Sequence, residues 1–352
     1  MNTTIYFEKE ESQFLESIAE KKYAQIVILA DAKTNGFCVP VFKKLMPSFL
    51  NTSLIIIPDG EQNKTLESCK LVWDFLIQIN ATKNTLLINI GGGMVCDLGG
   101  FIAATFKRGI DYINVPTTLL AMNDACLGGK TALDYNDIKN IIGVIKHPIA
   151  VYIYPIFLNS LSEKIKISGI AEMIKHAALQ CKEVWNNICK MSLDNFEKIE
   201  MIQQSLLFKK SIVTQDALDE NVRQVLNFGH TIGHAIESES MNQKEPLLHG
   251  EAIMLGMIYE AMLSHELLEF DKKYIDDLIE LKSKFFPLLN MNIQFDTIKK
   301  FLLQDKKNTE SVVMSLLQDI GECKIKINVS EEQIKNAIFE TNKMLQVSEH
   351  SL

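Results

Sequence analysis

The chain has 352 residues, with 36 Lys and Arg against 44 Asp and Glu, a formal charge of −8. Its hydrophobic content of 47% excludes a mostly disordered chain, which would be poor in apolar residues. The acidic balance argues against a nucleic-acid partner, since phosphate backbones demand basic patches, yet a small anionic substrate could still be held by a few local cations.

The N-terminal stretch MNTTIYFEKEES carries Glu8, Glu10 and Glu11 and has no long apolar core, so it does not read as a signal peptide. No stretch approaches the roughly 20 apolar residues of a membrane span. Seven cysteines, an odd number without a CxxC pair, read as reduced thiols of a cytoplasmic protein. Residues 25–30, 53–57, 85–90 and 112–115 are short apolar runs that read as buried strands. Between two of them Leu66, Cys69, Trp73, Leu76 and Ile79 recur near helical spacing. Strand, helix, strand in that order implies an α/β domain with a parallel sheet wrapped by helices. Eleven of the 17 glycines precede residue 150, and six of the eight prolines lie at or before Pro155. Beyond that point long segments, such as 196–215 and 250–268, have helical periodicity and few breakers. The expectation is an α/β domain over 1–157 followed by a mostly α-helical domain over 158–352.

Three groups of residues suggest chemistry. Gly91-Gly92-Gly93 follows the apolar run 85–90 and precedes a helical segment. A strand turning sharply into a helix offers N–H groups and a positive dipole end to an anion, although a tight turn alone also explains the glycines. Asp59-Gly60-Glu61-Gln62-Asn63-Lys64 follows another strand and reads equally well as a solvated turn. His230 and His234 stand four apart, on one face of a helix, with His249 downstream and Glu172 upstream. Two histidines and a carboxylate can form a catalytic divalent-metal site, while an isolated HxxxH pair is also common in cores and on surfaces. Lys130, Lys139, Lys175, Lys209, Arg223 and Lys306/Lys307 stand in apolar or Gly-rich settings, where they could clamp phosphate and carboxylate or simply be solvated.

The ordered segments GGGMVCDLGGFIAATFKRG, NVPTTLLA, GGKTA, SGIAEMIKHA, LNFGHTIGHAIE and LHGEA resemble the 3-dehydroquinate synthase family, from about residue 55 to about residue 260. The resemblance implies an N-terminal nucleotide-binding domain and a C-terminal helical domain that binds metal and substrate, with the active site in the cleft between them. It implies NAD and Zn2+ (or Co2+) as cofactors. It also implies conversion of 3-deoxy-arabino-heptulosonate 7-phosphate to 3-dehydroquinate and phosphate, in the shikimate pathway. By matching motif, Glu172, His230 and His249 would be metal ligands. Asp31, Asp59, Glu61, Lys64, Gly92, Gly93, Asp97, Thr117, Thr118 and Lys139 would serve the cofactor. Asp124, Lys130, Asn140, Lys175, Lys209, Arg223, Asn227 and His234 would surround the substrate. Arg108 matches an arginine that reaches a neighbouring subunit's phosphate site, which implies a homodimer.

This chain departs from the family pattern at several positions. Asn123 stands where an apolar residue is usual, Cys126 where Ser is usual, and Asp219 where Glu is usual. Other readings are a paralogous cyclase acting on sedoheptulose 7-phosphate or glucose 6-phosphate, a metal-dependent polyol dehydrogenase, and a non-catalytic NAD-binding protein. Arg223, Asn227 and Lys209 favour a carboxylated substrate over the first.

Overall fold

The computed structural model describes residues 3–136, 138–241, 243–289, 292–302 and 311–349; Lys306 and Lys307 lie outside them. The chain divides into two compact units, Met1–Lys166 with Glu197–Leu218, and Ile167–Phe196 with Asp219–Leu352. The helix Ile199–Gln215 therefore belongs to the first unit, a placement that its periodicity alone does not carry.

The first unit is built on strands β1 (Thr4–Phe7), β2 (Gln25–Asp31), β3 (Ser53–Ile57), β4 (Thr85–Gly91), β5 (Asp111–Pro116), β6 (Lys130–Tyr135), β7 (Ile138–Ile145) and β8 (Ala150–Ile153). Six of them form one sheet in the order β1-β8-β5-β4-β2-β3, with every pairing parallel. β4 is buried along its whole length, as a strand covered on both faces must be. On one face Val27, Leu29, Ile57 and Leu87 pack with Val72 and Leu76 of helix Leu66–Gln78 and with Val95, Leu98 and Ile102 of helix Gly93–Thr105. β6 and β7 form a separate antiparallel hairpin. From β2 the chain moves outward to β3, then crosses back over β2 to β4. The strand order thus reverses between β2 and β4, and in open α/β sheets ligands bind at the carboxyl ends of strands beside such a switch.

The second unit is mostly helical. Its centre is helix His249–Leu268, buried continuously from Ala252 to Ser264, which is how a helix that is apolar all round behaves. Around the same unit run helices Lys272–Phe285, Phe295–Leu302 and Glu331–Glu349. It also contains an antiparallel hairpin of β9 (Ser311–Asp319) and β10 (Glu322–Ser330), which the helical reading of 158–352 did not anticipate. All seven cysteines are unpaired thiols. Among the described residues no helix is long and apolar enough to cross a membrane.

Candidate active site

In the first unit, most residues assigned to the cofactor gather at the carboxyl ends of strands. Asp31 ends β2, Asp59, Glu61 and Lys64 follow β3, Gly92 and Gly93 follow β4, and Thr117 and Thr118 follow β5. Helix Gly93–Thr105 begins after Gly92, which has no side chain to satisfy the first N–H groups. Asp97 stands one turn into that helix. Lys64 is almost fully buried, and its Nζ lies 2.7 Å from Asp97 Oδ2, 2.6 Å from Asn140 Oδ1 and 3.5 Å from Glu61 Oε1. Burial alone would depress this ammonium, but the Asp97 and Glu61 carboxylates raise it. Burial raises the Asp97 carboxyl although Lys64 opposes it.

Asn140 adopts a left-handed backbone, φ 55°, which asparagine tolerates better than most residues. Its N–H donates to Asp134 Oδ1 at 2.8 Å, and the Asp134 N–H donates to Lys64 O at 2.8 Å. The hairpin carrying Lys130, Lys139 and Asn140 is thereby tied to the loop that carries Lys64. Asp134 has no sequence signal that would have revealed this role. Lys209, buried on helix Ile199–Gln215, donates to both Asp124 O and Asp124 Oδ1 at 2.7 Å. Two cofactor candidates are engaged locally. Asp31 caps helix Ala32–Leu45 by accepting from Thr34 N at 2.8 Å, and Asp59 pairs with Lys33 at 2.8 Å. Arg108 is exposed, and Lys107, Arg108 and Gly109 all have positive φ.

In the second unit, three helices bring the candidate metal ligands together. A Cβ on Gly250 would lie 1.8 Å from Ser168 O, so only glycine lets helix His249–Leu268 come this close to helix Glu163–Gln180. The Gly250 N–H donates to Ser168 Oγ at 3.0 Å. Glu172 is one turn beyond Ser168, and His249 adjoins Gly250, so the contact sets carboxylate against imidazole. Gly256 plays the same part against helix His230–Ser240, where its Cβ would lie 2.0 Å from Gly229 O. Glu260, buried on helix His249–Leu268, accepts from Gly229 N at 2.6 Å and Ile232 N at 2.8 Å. It caps the helix that presents His230 and His234.

Glu172 is fully buried. Its Oε1 lies 3.3 Å from His230 Nε2 and 3.4 Å from His249 Nε2, and Lys175 is ion-paired with Oε2. Burial would raise this carboxyl, but Lys175 and the imidazoles hold it well below the usual carboxylate range. Burial and the nearby Lys175 charge lower His230. Burial also acts to lower His249, but bonds to Glu172 and Glu237 prevail and raise it to about 10. Both rings are anchored through Nδ1. His230 Nδ1 lies 3.3 Å from Phe228 O, and His249 Nδ1 lies 3.2 Å from Glu237 Oε2, so each Nε2 faces Glu172.

A tetrahedral ion with bonds of about 2.1 Å separates neighbouring donor atoms by about 3.4 Å. The Glu172–His230 and Glu172–His249 spacings match that edge, and imidazole with carboxylate suits zinc or cobalt. The exposed His234 belongs to the same cluster, its ring centroid 5.0 Å from that of His230 and 5.7 Å from that of His249. The three imidazoles offer nitrogens within 4.8 Å of one another and form a second conceivable triad. The Glu172 set has two spacings that match a tetrahedral edge and two anchored rings, and is the better fit. Arg223, buried, and Asn227 share the short helical turn Val222–Asn227, which β9 fixes through Ser315 Oγ donating to Gln224 O at 2.7 Å.

Of the departures, Asn123 and Cys126 are both buried in the first unit, where Asn114 Nδ2 donates to Cys126 O at 3.0 Å. Asp219 sits at φ 64° before the Arg223 turn. Glu237 and Glu260 were missed by the motif reading. Glu237 had a signal, since it stands two turns past His230 on one face. Glu260 had none, because it acts across about 30 residues.

One unit is a parallel α/β sheet with a glycine-rich turn into a helix, the other is helical and holds a carboxylate–histidine cluster, and together they define a class of fold. A solved 2-deoxy-scyllo-inosose synthase, described as a complex with carbaglucose-6-phosphate, NAD+ and Co2+, has it (TM-score 0.83, 24% identity, 96% of each chain). So does the 2-epi-5-epi-valiolone synthase of Streptomyces hygroscopicus subsp. jinggangensis 5008 (TM-score 0.81, 19% identity, 98% of each chain). Within that class the family is shown by sequence. The 3-dehydroquinate synthase N-terminal model matches residues 54–168 and the C-terminal model matches residues 169–308. A 3-dehydroquinate synthase of Parabacteroides distasonis is 36% identical over 93% of this chain and 94% of its own length. Another from Clostridium tetani is 36% identical over 85% and 81%. The chain belongs to the 3-dehydroquinate synthase family.

Proposed function

We propose that this enzyme converts 3-deoxy-arabino-heptulosonate 7-phosphate to 3-dehydroquinate and phosphate, a phosphate-eliminating cyclisation. The observation that carries the reading is Glu172 within 3.3 and 3.4 Å of His230 and His249 Nε2 in a chain of this family. When bound, NAD would accept a hydride from the substrate and return it, and Zn2+ or Co2+ held by that set would polarise the substrate hydroxyls. The switch point between β2 and β4 and the open helix start at Gly93 support a dinucleotide there, with Asp31, Glu61, Lys64, Asp97, Thr117 and Thr118 around it.

Lys130, Asn140 and His234 bind the phosphate, and Arg223 and Lys209 bind the carboxylate. The guanidinium of Arg223 is a rigid fork matched to a planar carboxylate. Asp124, Lys175 and Asn227 orient the hydroxyls. As the phosphate leaves, its own oxygen takes the neighbouring carbon's proton, and positioning then guides the internal closure.

The enzyme is a homodimer of the cytoplasm in this reading. Seven unpaired thiols suit a reducing compartment. Ile138, Ile141, Ile142, Val144 and Ile145 of β7 are each 40–56% exposed, and the strained Arg108 loop adjoins Lys146 at the end of that strand. A second copy covering this face would bring Arg108 to its neighbour. The test of the chemistry is turnover with NAD well below substrate concentration. Phosphate release far exceeding the NAD present, without lasting NADH absorbance, is expected. NADH accumulating one-for-one with product would make this a dehydrogenase instead.

A further inference from the structure

Glu237 stands apart from the residues that the reaction uses. It is buried on helix His230–Ser240, at the third position of the stripe His230, His234, Glu237, so it faces the start of helix His249–Leu268. Its Oε2 lies 3.2 Å from His249 Nδ1, on the opposite side of the ring from Glu172, which lies 3.4 Å from Nε2. A carboxylate oxygen accepts and an imidazole N–H donates, so this contact puts a proton on Nδ1. Nε2 is then the nitrogen that faces Glu172 Oε1 and is left to coordinate a metal. His230 reaches the same state by a backbone route, through Phe228 O. His249 is the first residue of its helix and is partly exposed, and it lies beyond any such carbonyl anchor that the structure gives for its ring.

We infer that Glu237 is the positioning residue that fixes the tautomer and orientation of His249 for divalent-metal binding, without itself being a ligand. The inference rests on the proposed Glu172–His230–His249 metal set. Carboxylates that anchor ligating imidazoles are worth about 10–100-fold in metal affinity.

The test is zinc affinity of the full-length protein, measured by competition with a chromophoric chelator, for wild type, Glu237→Gln, Glu237→Ala and His249→Ala. The Gln amide oxygen still accepts from Nδ1–H and keeps the tautomer. Glu237→Ala should therefore weaken zinc binding about 10–100-fold, and Glu237→Gln should restore most of it. The metal-free melting temperature and NAD affinity of Glu237→Gln should stay at wild-type values, which separates positioning from general folding. If Glu237→Ala binds zinc as wild type does, or if Glu237→Gln is as weak as Glu237→Ala, the inference is overturned. If wild type itself binds no zinc, or His249→Ala binds it equally well, the metal set fails, and the inference with it.

Discussion

His249, Arg223 and Glu260 separate metal binding, substrate binding and folding into single side chains. His249→Ala removes one donor from a three-donor set in the second unit, whereas the proposed dinucleotide contacts are in the first. Equilibrium dialysis should find the variant stripped of zinc with NAD affinity near wild type; retained zinc would remove His249 from the ligands. Arg223→Leu deletes a charge-assisted contact to the substrate carboxylate, so kcat/KM for 3-deoxy-arabino-heptulosonate 7-phosphate should fall by about 10–100-fold, or roughly 1.4–2.8 kcal/mol. Steady-state kinetics with unchanged kcat/KM would take Arg223 out of the site. Glu260 predicts a pH dependence. Burial raises its carboxyl from 4.5 to about 8, against the backbone N–H donors that pull it down. Below the lower value both folded and unfolded chains hold the proton, and between the two only the folded chain does. Stability therefore falls as pH rises through that window, by up to about 1.4 kcal/mol per pH unit. Glu260→Gln should flatten this slope in melting temperatures measured from about pH 5 to about pH 8. Parallel curves for the two proteins would mean that the carboxyl stays ionised throughout. Glu172, His230 and His249 could be singled out because each sits in a local sequence motif, and the structure brings both imidazoles within 3.4 Å of Glu172 Oε1. Glu260 could not, because its partners Gly229 and Ile232 are distant in sequence and its own neighbours are ordinary helix residues.

At the scale of elements, close helix approach is what brings the candidate metal ligands together. Gly250→Ala would drive a methyl into Ser168 O, a backbone atom that cannot rotate away. The helices must separate, at a cost of about 1–3 kcal/mol, and His249 must withdraw from Glu172. Calorimetry should show a lower melting temperature together with weakened zinc binding; wild-type values for both would contradict the packing account. The buried parallel strands β2, β4 and β5 were readable as apolar runs because both their faces are covered, whereas β3, expected to be buried, is the sheet's edge strand and only its last residue, Ile57, is buried. The β9–β10 hairpin was not readable, because β10 alternates Lys324 and Lys326 with Ile and presents one largely exposed face. Helix Ile199–Gln215 was readable as a helix. Its membership of the first unit depends on contacts such as Lys209 with Asp124, which no periodicity encodes.

For the whole molecule, the exposed isoleucines of β7 bear on assembly. A charge there opposes a second copy while leaving the parallel sheet untouched. Ile142→Lys should sediment as a monomer where wild type sediments as a dimer; a monomeric wild type would remove both the dimer and the role of Arg108. The central claim concerns the substrate. Phosphate release should be measured with zinc and catalytic NAD on 3-deoxy-arabino-heptulosonate 7-phosphate and, side by side, on sedoheptulose 7-phosphate. The account predicts release from the first, with 3-dehydroquinate formed in equal amount, and none from the second. Release from sedoheptulose 7-phosphate alone would contradict it, and would mean that Arg223 and Lys209 serve something other than a carboxylate.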